Sequence, residues 1–250
     1  MDRIQLITKL RDLPAGRRII TALDVPTMDQ ALSIAERLGA AGGFVKVGLE
    51  LYSAAGPEVV HRLKNMDRDI FLDLKYHDIP NTVASAARVA ATLGASLCTM
   101  HASNGRAAMT AAAGALAEAK VDHRTGRRPA LLAVTILTSL SEQEMGEVSP
   151  SHDTLQDRVQ RLARLAWDCG CDGLVCSAAD LPGLREALGP EPLIVTPGIR
   201  PAGADAGDQH RVTTPRQAMD AGSDFLVIGR PITQAPDPGA ALKAIADELF

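Results

Sequence analysis

Eight short runs rich in Val, Ile and Leu recur down this chain, and each is followed by a stretch of helical character. The runs are RRIITALD, GFVKVGL, DIFLDLK, SLCTMHA, ALLAVTILTS, DGLVCS, PLIVTPG and DFLVIG. Short apolar runs bounded by turn signals read as buried strands. Between them, TMDQALSIAERLGA spaces its apolar residues three and four apart, starts at the capping residue Thr27 and stops before Gly42 and Gly43. PNTVASAARVAATLGA opens with Pro80, suited to a first helical turn, and closes at Gly94. Similar signals surround residues 105–120, 155–168, 179–188, 214–221 and 238–249. Strands alternating with helices demand a parallel sheet covered by helices, and eight such units in 250 residues match a closed (β/α)8 TIM barrel of the α/β class. A doubly wound open sheet competes, but no GxGxxG follows the first run and no GxxxxGK[ST] occurs. Nothing in composition splits the chain, so residues 1–250 read as a single domain, with VDHRTGRRP and RPAGADAGDQHR as long exposed loops.

Against this apolar pattern the stretch FLDLKYHDIP is anomalous, because it sets acids and a lysine at the end of a core strand. Alternate side chains of a barrel strand face the helices and the interior. With Leu72 and Leu74 outward, Asp73 and Lys75 point inward; with Val45, Val47 and Leu49 outward, Lys46 points inward; with Leu23 outward, so does Asp24. Four charges from three adjacent strands thus converge at the strand C-termini, the end where such barrels keep their active sites. Charges at strand ends are often merely solvated or paired to close a barrel mouth. An alternating buried set is different, since burying an ion costs several kcal/mol unless it is paired, and such clusters mark functional sites.

The seventh run leads into VTPGIRPAGADAGDQHRVTTP, and the eighth ends at Gly229-Arg230-Pro231. Barrels often bind phosphate with the loops after strands seven and eight. Gly229 would let the backbone approach an anion, Arg230 would supply a forked donor and Pro231 would open a helix. Arg200 and Gln209 bracket a Gly- and Ala-rich segment suited to a lid over a bound phosphate.

A formal charge of -4 argues against nucleic-acid or anionic-membrane partners, so any anion must be held by a local site. No apolar run approaches the roughly 20 residues that span a bilayer, and MDRIQLITKLRDL lacks a signal-type stretch, which reads as a cytoplasmic protein. Cys98, Cys169, Cys171 and Cys176 read as reduced core thiols, with no zinc-like spacing among them.

With DLKYHDIPNT, VTPGIRPAG…GDQ and VIGRP in place, the sequence closely resembles the orotidine 5'-phosphate decarboxylase family over nearly its whole length. The resemblance implies a (β/α)8 homodimer with active sites at the subunit interface. Its implied reaction removes CO2 from orotidine 5'-monophosphate to give uridine 5'-monophosphate, the last step of de novo pyrimidine synthesis, without metal or organic cofactor. It further implies that Lys46, Asp73, Lys75 and Asp78 form an alternating charge network, with Asp78, Ile79 and Thr82 reaching into the neighbouring subunit's site. Asp24 and Lys46 would hold ribose hydroxyls, and Thr138 would sit beside the pyrimidine. Pro197, Arg200, Gln209, Gly229 and Arg230 would serve the substrate, its phosphate and the closing loop. Lys75, kept protonated by Asp73 and Asp78, would stabilise a carbanion at C6 and then protonate it. His101, at the end of the fourth run, could reach the site but reads rather as a histidine that packs or supports the residues around it, and His77 carries no assigned chemistry.

Two other functions fit the same residues. A metal-dependent sugar-phosphate decarboxylase or aldolase on this barrel would use the acids to ligate Mg2+. A non-catalytic phosphate-ester binding barrel would keep the pocket and have lost its chemistry, against which the retention of both lysines and both acids argues.

Overall fold

The computed structural model describes residues 1–149, 153–201 and 213–249. Eight parallel strands close into a barrel in sequential order: β1 (Ile19–Ala22), β2 (Phe44–Gly48), β3 (Asp69–Tyr76), β4 (Leu97–His101), β5 (Ala130–Val134), β6 (Gly173–Val175), β7 (Leu193–Thr196) and β8 (Phe225–Ile228). The pairing of β1 with β8, which sets Ile20 beside Val227, completes the closure. Helices follow every strand, so the barrel expected from the alternating pattern is the fold observed.

Period-two alternation sorts the apolar residues into two cores. Val45, Val47, Ile70, Leu72, Cys98, Met100 and Leu131 pack outward against the helices. Ile20, Phe44, Phe71, Leu97, Leu132, Val195 and Phe225 fill the barrel interior. There the rings of Phe44 and Phe225 meet edge to face at 5.8 Å and 72°, a contact worth about 0.5–1.5 kcal/mol beyond the area it buries. The helix Pro80–Leu93 behaves as its sequence reads, with proline in the first turn and Gly94 in the left-handed conformation (φ 80°) that ends it.

The structure differs from the sequence reading in three places. The fifth run is strand only over Ala130–Val134, and residues 135–139 leave the sheet. VDHRTGRRP is not an exposed loop throughout: Asp122 and Arg127 form a bridge, and Arg127 and Arg128 are buried. The N-terminal segment is a helix, Arg3–Arg11, capped by the Asp2 side chain, and its Leu6, Ile7 and Leu10 join the interior core. Arg3 fastens it over the Trp167 ring at 3.5 Å, and Arg11 pairs with Asp224. The four cysteines are free and buried, as read. Burial pushes the Cys98 thiol up to about 12. Among the described residues no helix is long and apolar enough to cross a membrane.

Candidate active site

Register brings the charged residues together: Ala22 of β1 lies beside Lys46, and Gly48 of β2 beside Asp73. Two residues beyond Ala22, on the same face, stands Asp24. Lys46 Nζ lies 2.7 Å from Asp24 Oδ1 and 3.7 Å from Asp73 Oδ2, while Lys75 Nζ lies 2.8 Å from the same Asp73 oxygen. The signs alternate along the array, from Asp24 through Lys46 and Asp73 to Lys75. Lys46 and Asp73 are only 8 % and 7 % exposed, so removing either partner strands a buried charge, at a cost of about 3–5 kcal/mol. Asp24 is more open to solvent, and its pairing contributes less.

Burial alone raises the Asp73 carboxyl. Lys46 and Lys75, together with hydrogen bonds from Lys75 and Thr99, outweigh that effect and hold it below the usual carboxylate range. Asp73 is therefore an anion wherever the fold is intact at neutral pH, and it keeps a cation beside it.

Gly48 makes room for this arrangement. A Cβ there would lie 2.9 Å from Lys46 Nζ and 3.1 Å from Asp24 Oδ1. At Lys75 the strand is irregular. Leu72 pairs with Cys98 but Tyr76 with Met100, so β3 carries extra residues against β4. Lys75 itself has φ 50°, a conformation non-glycine residues rarely adopt. Its N–H donates to Thr99 Oγ1 at 2.9 Å, and that hydroxyl donates to Asp73 Oδ1 at 2.9 Å.

These charges form one wall of a cavity of about 490 Å3. Phe71, Val134, Val175 and Val227 belong both to its lining and to the interior core, so they make its floor. Ile136, Leu137 and Thr138 enter from the segment after β5. Pro197, Gly198 and Arg200 after β7, with Gly229, Arg230, Thr233 and Gln234 after β8, complete the wall. Arg200 is buried, and its N–H bonds the Thr213 carbonyl at 3.1 Å, tying the base of the loop after β7. Gly229 precedes a short helix, Arg230–Thr233, whose first turn holds Pro231.

The structure thus gathers Asp24, Lys46, Asp73, Lys75, Thr138, Pro197, Arg200, Gly229 and Arg230 around one cavity. It does not bring Asp78, Ile79 or Thr82 to that cavity. All three are exposed around the start of the helix after β3, with Ile79 at 67 %. The Asp78 carboxylate accepts the Ile79 N–H at 2.6 Å, and Asn104 donates to the Asp78 carbonyl at 2.9 Å. Within one chain the expected network therefore stops at Lys75. Gln209 and most of the expected lid lie outside the described residues. His101 does not line the cavity; it packs edge-on against His77 at 5.8 Å. Burial, His77 and Lys75 lower its pKa, with Asp73 opposing, so the imidazole is neutral at pH 7. The sequence reading missed Gly48, Thr99, Thr233 and Gln234. Gly48 was within reach, since it lies two residues beyond Lys46 on the same strand face.

The profile of the "Orotidine 5'-phosphate decarboxylase / HUMPS family" matches residues 17–245. The orotidine 5'-phosphate decarboxylase of Moorella thermoacetica is 45% identical over 250 residues, covering 100% of this chain and 98% of that protein. The protein of the same name from Nitrosococcus oceani is 50% identical over 232 residues, covering 93% and 97%. Among solved structures, orotidine 5'-phosphate decarboxylase from Lactobacillus acidophilus superposes with a TM-score of 0.83 at 39% identity, covering 95% of this chain and 99% of that one. An uncharacterized conserved protein from Geobacillus kaustophilus gives 0.81 at 37%, covering 93% and 100%.

Proposed function

This chain belongs to the orotidine 5'-phosphate decarboxylase / HUMPS family, and on that premise we propose how its cavity converts orotidine 5'-monophosphate to uridine 5'-monophosphate and CO2. The observation that carries the reading is the array Asp24–Lys46–Asp73–Lys75 set into one wall of the cavity. When the bond from C6 to the carboxylate breaks, its electron pair stays on C6 in an in-plane orbital that the ring cannot delocalise. Stabilisation must come from fixed charge outside the ring. The Lys75 ammonium, paired with Asp73 at 2.8 Å, faces that lone pair and gives it a proton, CO2 departs, and the neutral amine recovers its proton from solvent. Asp73 orients Lys75 and lies beside the departing carboxylate. Asp24 and Lys46 take the ribose hydroxyls, and Thr138 and Pro197 flank the base.

Arg200, Gly229 and Arg230, with Gln209, take the phosphate. Binding energy gained there, away from C6, closes the site and positions the ring. We further propose a homodimer in which Asp78, Ile79 and Thr82 enter the neighbouring subunit's cavity. The support is their exposure just beyond Lys75 in the chain, an apolar Ile79 included. The charge and the absence of a membrane-spanning helix among the described residues suit a cytoplasmic enzyme.

A sugar-phosphate reaction through Mg2+ fits less well, because Asp24 and Asp73 already have ammonium partners within 2.8 Å that a cation would have to displace. Loss of orotidine 5'-monophosphate absorbance by the purified chain in excess chelator tests the reading. Turnover that stops in chelator and returns with Mg2+ would defeat it.

A further inference from the structure

We propose that Thr99 is a positioning residue for decarboxylation, whose single hydroxyl fixes both the Asp73 carboxylate and the backbone from which Lys75 projects. The proposal rests on the reading that Asp73 and Lys75 carry the chemistry.

Thr99 sits on the inward face of β4, two residues beyond Leu97 of the interior core, and is fully buried. A valine would fill the same volume there, so packing does not call for the hydroxyl. Its hydrogen-bonding capacity is spent on two functional neighbours: it accepts the Lys75 N–H and donates to Asp73 Oδ1, both at 2.9 Å. The other Asp73 oxygen receives Lys75 Nζ at 2.8 Å. Both carboxylate oxygens are thereby held, and Lys75 is held at its backbone and at its tip.

The backbone needs that restraint. β3 and β4 are out of step between Leu72 and Tyr76, so the Lys75 N–H has no regular carbonyl opposite it. Lys75 adopts φ 50°, which persists in a non-glycine residue only where its surroundings over-determine it. Thr99 supplies the missing acceptor. Without it, the N–H is unsatisfied and the bulge is free to relax, swinging the ammonium away from Asp73 and from the reacting carbon. The same loss removes one of the hydrogen bonds that lower the Asp73 pKa.

The test compares full-length Thr99→Val and Thr99→Ser with the parent chain, alongside Thr99→Ala, which differs from the serine variant by the hydroxyl alone. Readouts are kcat and KM for orotidine 5'-monophosphate, thermal melting, and the 13C titration of the Asp73 carboxylate, assigned by Asp73→Asn. A reacting group misplaced by an ångström costs on the order of 10²-fold. The expected result is a kcat lower by about that factor in Thr99→Val, with KM little changed and the Asp73 titration moved upward. Thr99→Ser should recover most of both, and Thr99→Ala should not. Parental kcat and an unmoved titration in folded Thr99→Val would overturn the proposal. So would equal impairment of the serine and alanine variants, which would assign the effect to packing. If the parent chain does not decarboxylate the nucleotide at all, the functional reading fails, and the carboxylate titration still decides the positioning claim.

Discussion

Replacing Gly48 by alanine separates catalytic geometry from fold stability, because the added methyl group meets only the charged array. Its carbon would lie 2.9 Å from Lys46 Nζ and 3.1 Å from Asp24 Oδ1. Ordinary carbon contacts begin near 3.4 Å, so the Lys46 ammonium must retreat by roughly 0.5 Å. Lys46 is nearly buried and already engaged by Asp24 and Asp73, so any retreat disturbs one of those pairs. Since a displacement of about 1 Å costs on the order of 10²-fold, half of that should lower kcat/KM about tenfold, equivalent to about 1.4 kcal/mol. The backbone tolerates the change. Gly48 has φ -98° and ψ -173°, extended values open to alanine, and Gly→Ala at a compatible position stabilises by about 0.4–1 kcal/mol through the unfolded chain. The variant should therefore melt close to the parent, the backbone gain offsetting strain on the Lys46 pairs, while decarboxylating about tenfold more slowly at low substrate. Initial rates from nucleotide absorbance, paired with a thermal melt, read both quantities. Undiminished kcat/KM in a variant of parental stability would refute the view that this pair is set to sub-ångström tolerance.

Arg230→Ala should lower kcat/KM by two orders of magnitude or more, in the range of about 10²–10³ seen when a charge-stabilising donor is removed, and full activity at low substrate would break the link between phosphate binding and chemistry. Lys75→Ala and Asp78→Asn, each inactive alone, should regain about a quarter of parental activity when mixed as equal subunits, because one site of each mixed dimer draws both intact residues; no recovery would place Asp78 outside the partner's site. All four cysteines should resist a thiol reagent until the chain unfolds, since all are buried and the Cys98 thiol is pushed up to about 12; release of a thiol from the native protein would contradict the packing. Burial pushes Asp122 up, but the hydrogen bonds from Lys64, Thr125 and Arg124 outweigh it and bring the carboxyl to about 2. Its contribution to stability is therefore complete above the unfolded value of about 3.9 and fades as pH falls toward 2, so the deficit of Asp122→Asn in urea midpoint should shrink over that window.

What the sequence reveals of this site follows from how local each determinant is. Asp24, Lys46 and Asp73 are legible because strand alternation depends only on neighbours two residues away, and the barrel closure then delivers all three to one cavity. The helix from Pro80 to Leu93 is legible because its start and stop residues lie within it. The bulge at Lys75 is not, because it requires a hydroxyl from β4, 24 positions along the chain. Alternation happens to give the right inward direction for Lys75 without giving the conformation that achieves it. Asp78 shows the opposite limit: the resemblance assigns it a role, yet a single chain leaves it exposed, since its proposed partners belong to a second copy. The N-terminal helix had a readable signal in the Asp2 cap and in Leu6, Ile7 and Leu10. Its place in the interior core is not legible, because that contact exists only once the barrel has closed.

The two ends of β3 show why the active end uses lysine. At its start, Asp69 is buried among arginines: Arg124 at 2.7 Å, Arg127 at 3.4 Å and Arg17 at 3.5 Å. Asp172, next to β6, takes Arg128 at 2.8 Å, and Asp224, next to β8, takes Arg11 at 2.8 Å and Arg185 at 2.9 Å. Guanidinium groups are planar, matched to carboxylates and never deprotonated in proteins, so these pairs suit holding strand ends in place. Four residues further along the same strand, Asp73 faces two lysines instead. An ammonium is a compact charge that can surrender its proton, as the proposed reaction requires of Lys75. Under the proposed mechanism, an arginine at position 75 would meet the electrostatic demand of the carbanion and fail the protonation step, because a guanidinium holds its protons too tightly to give one. The choice of cation along one strand thus separates the end that holds the barrel together from the end proposed to perform the reaction.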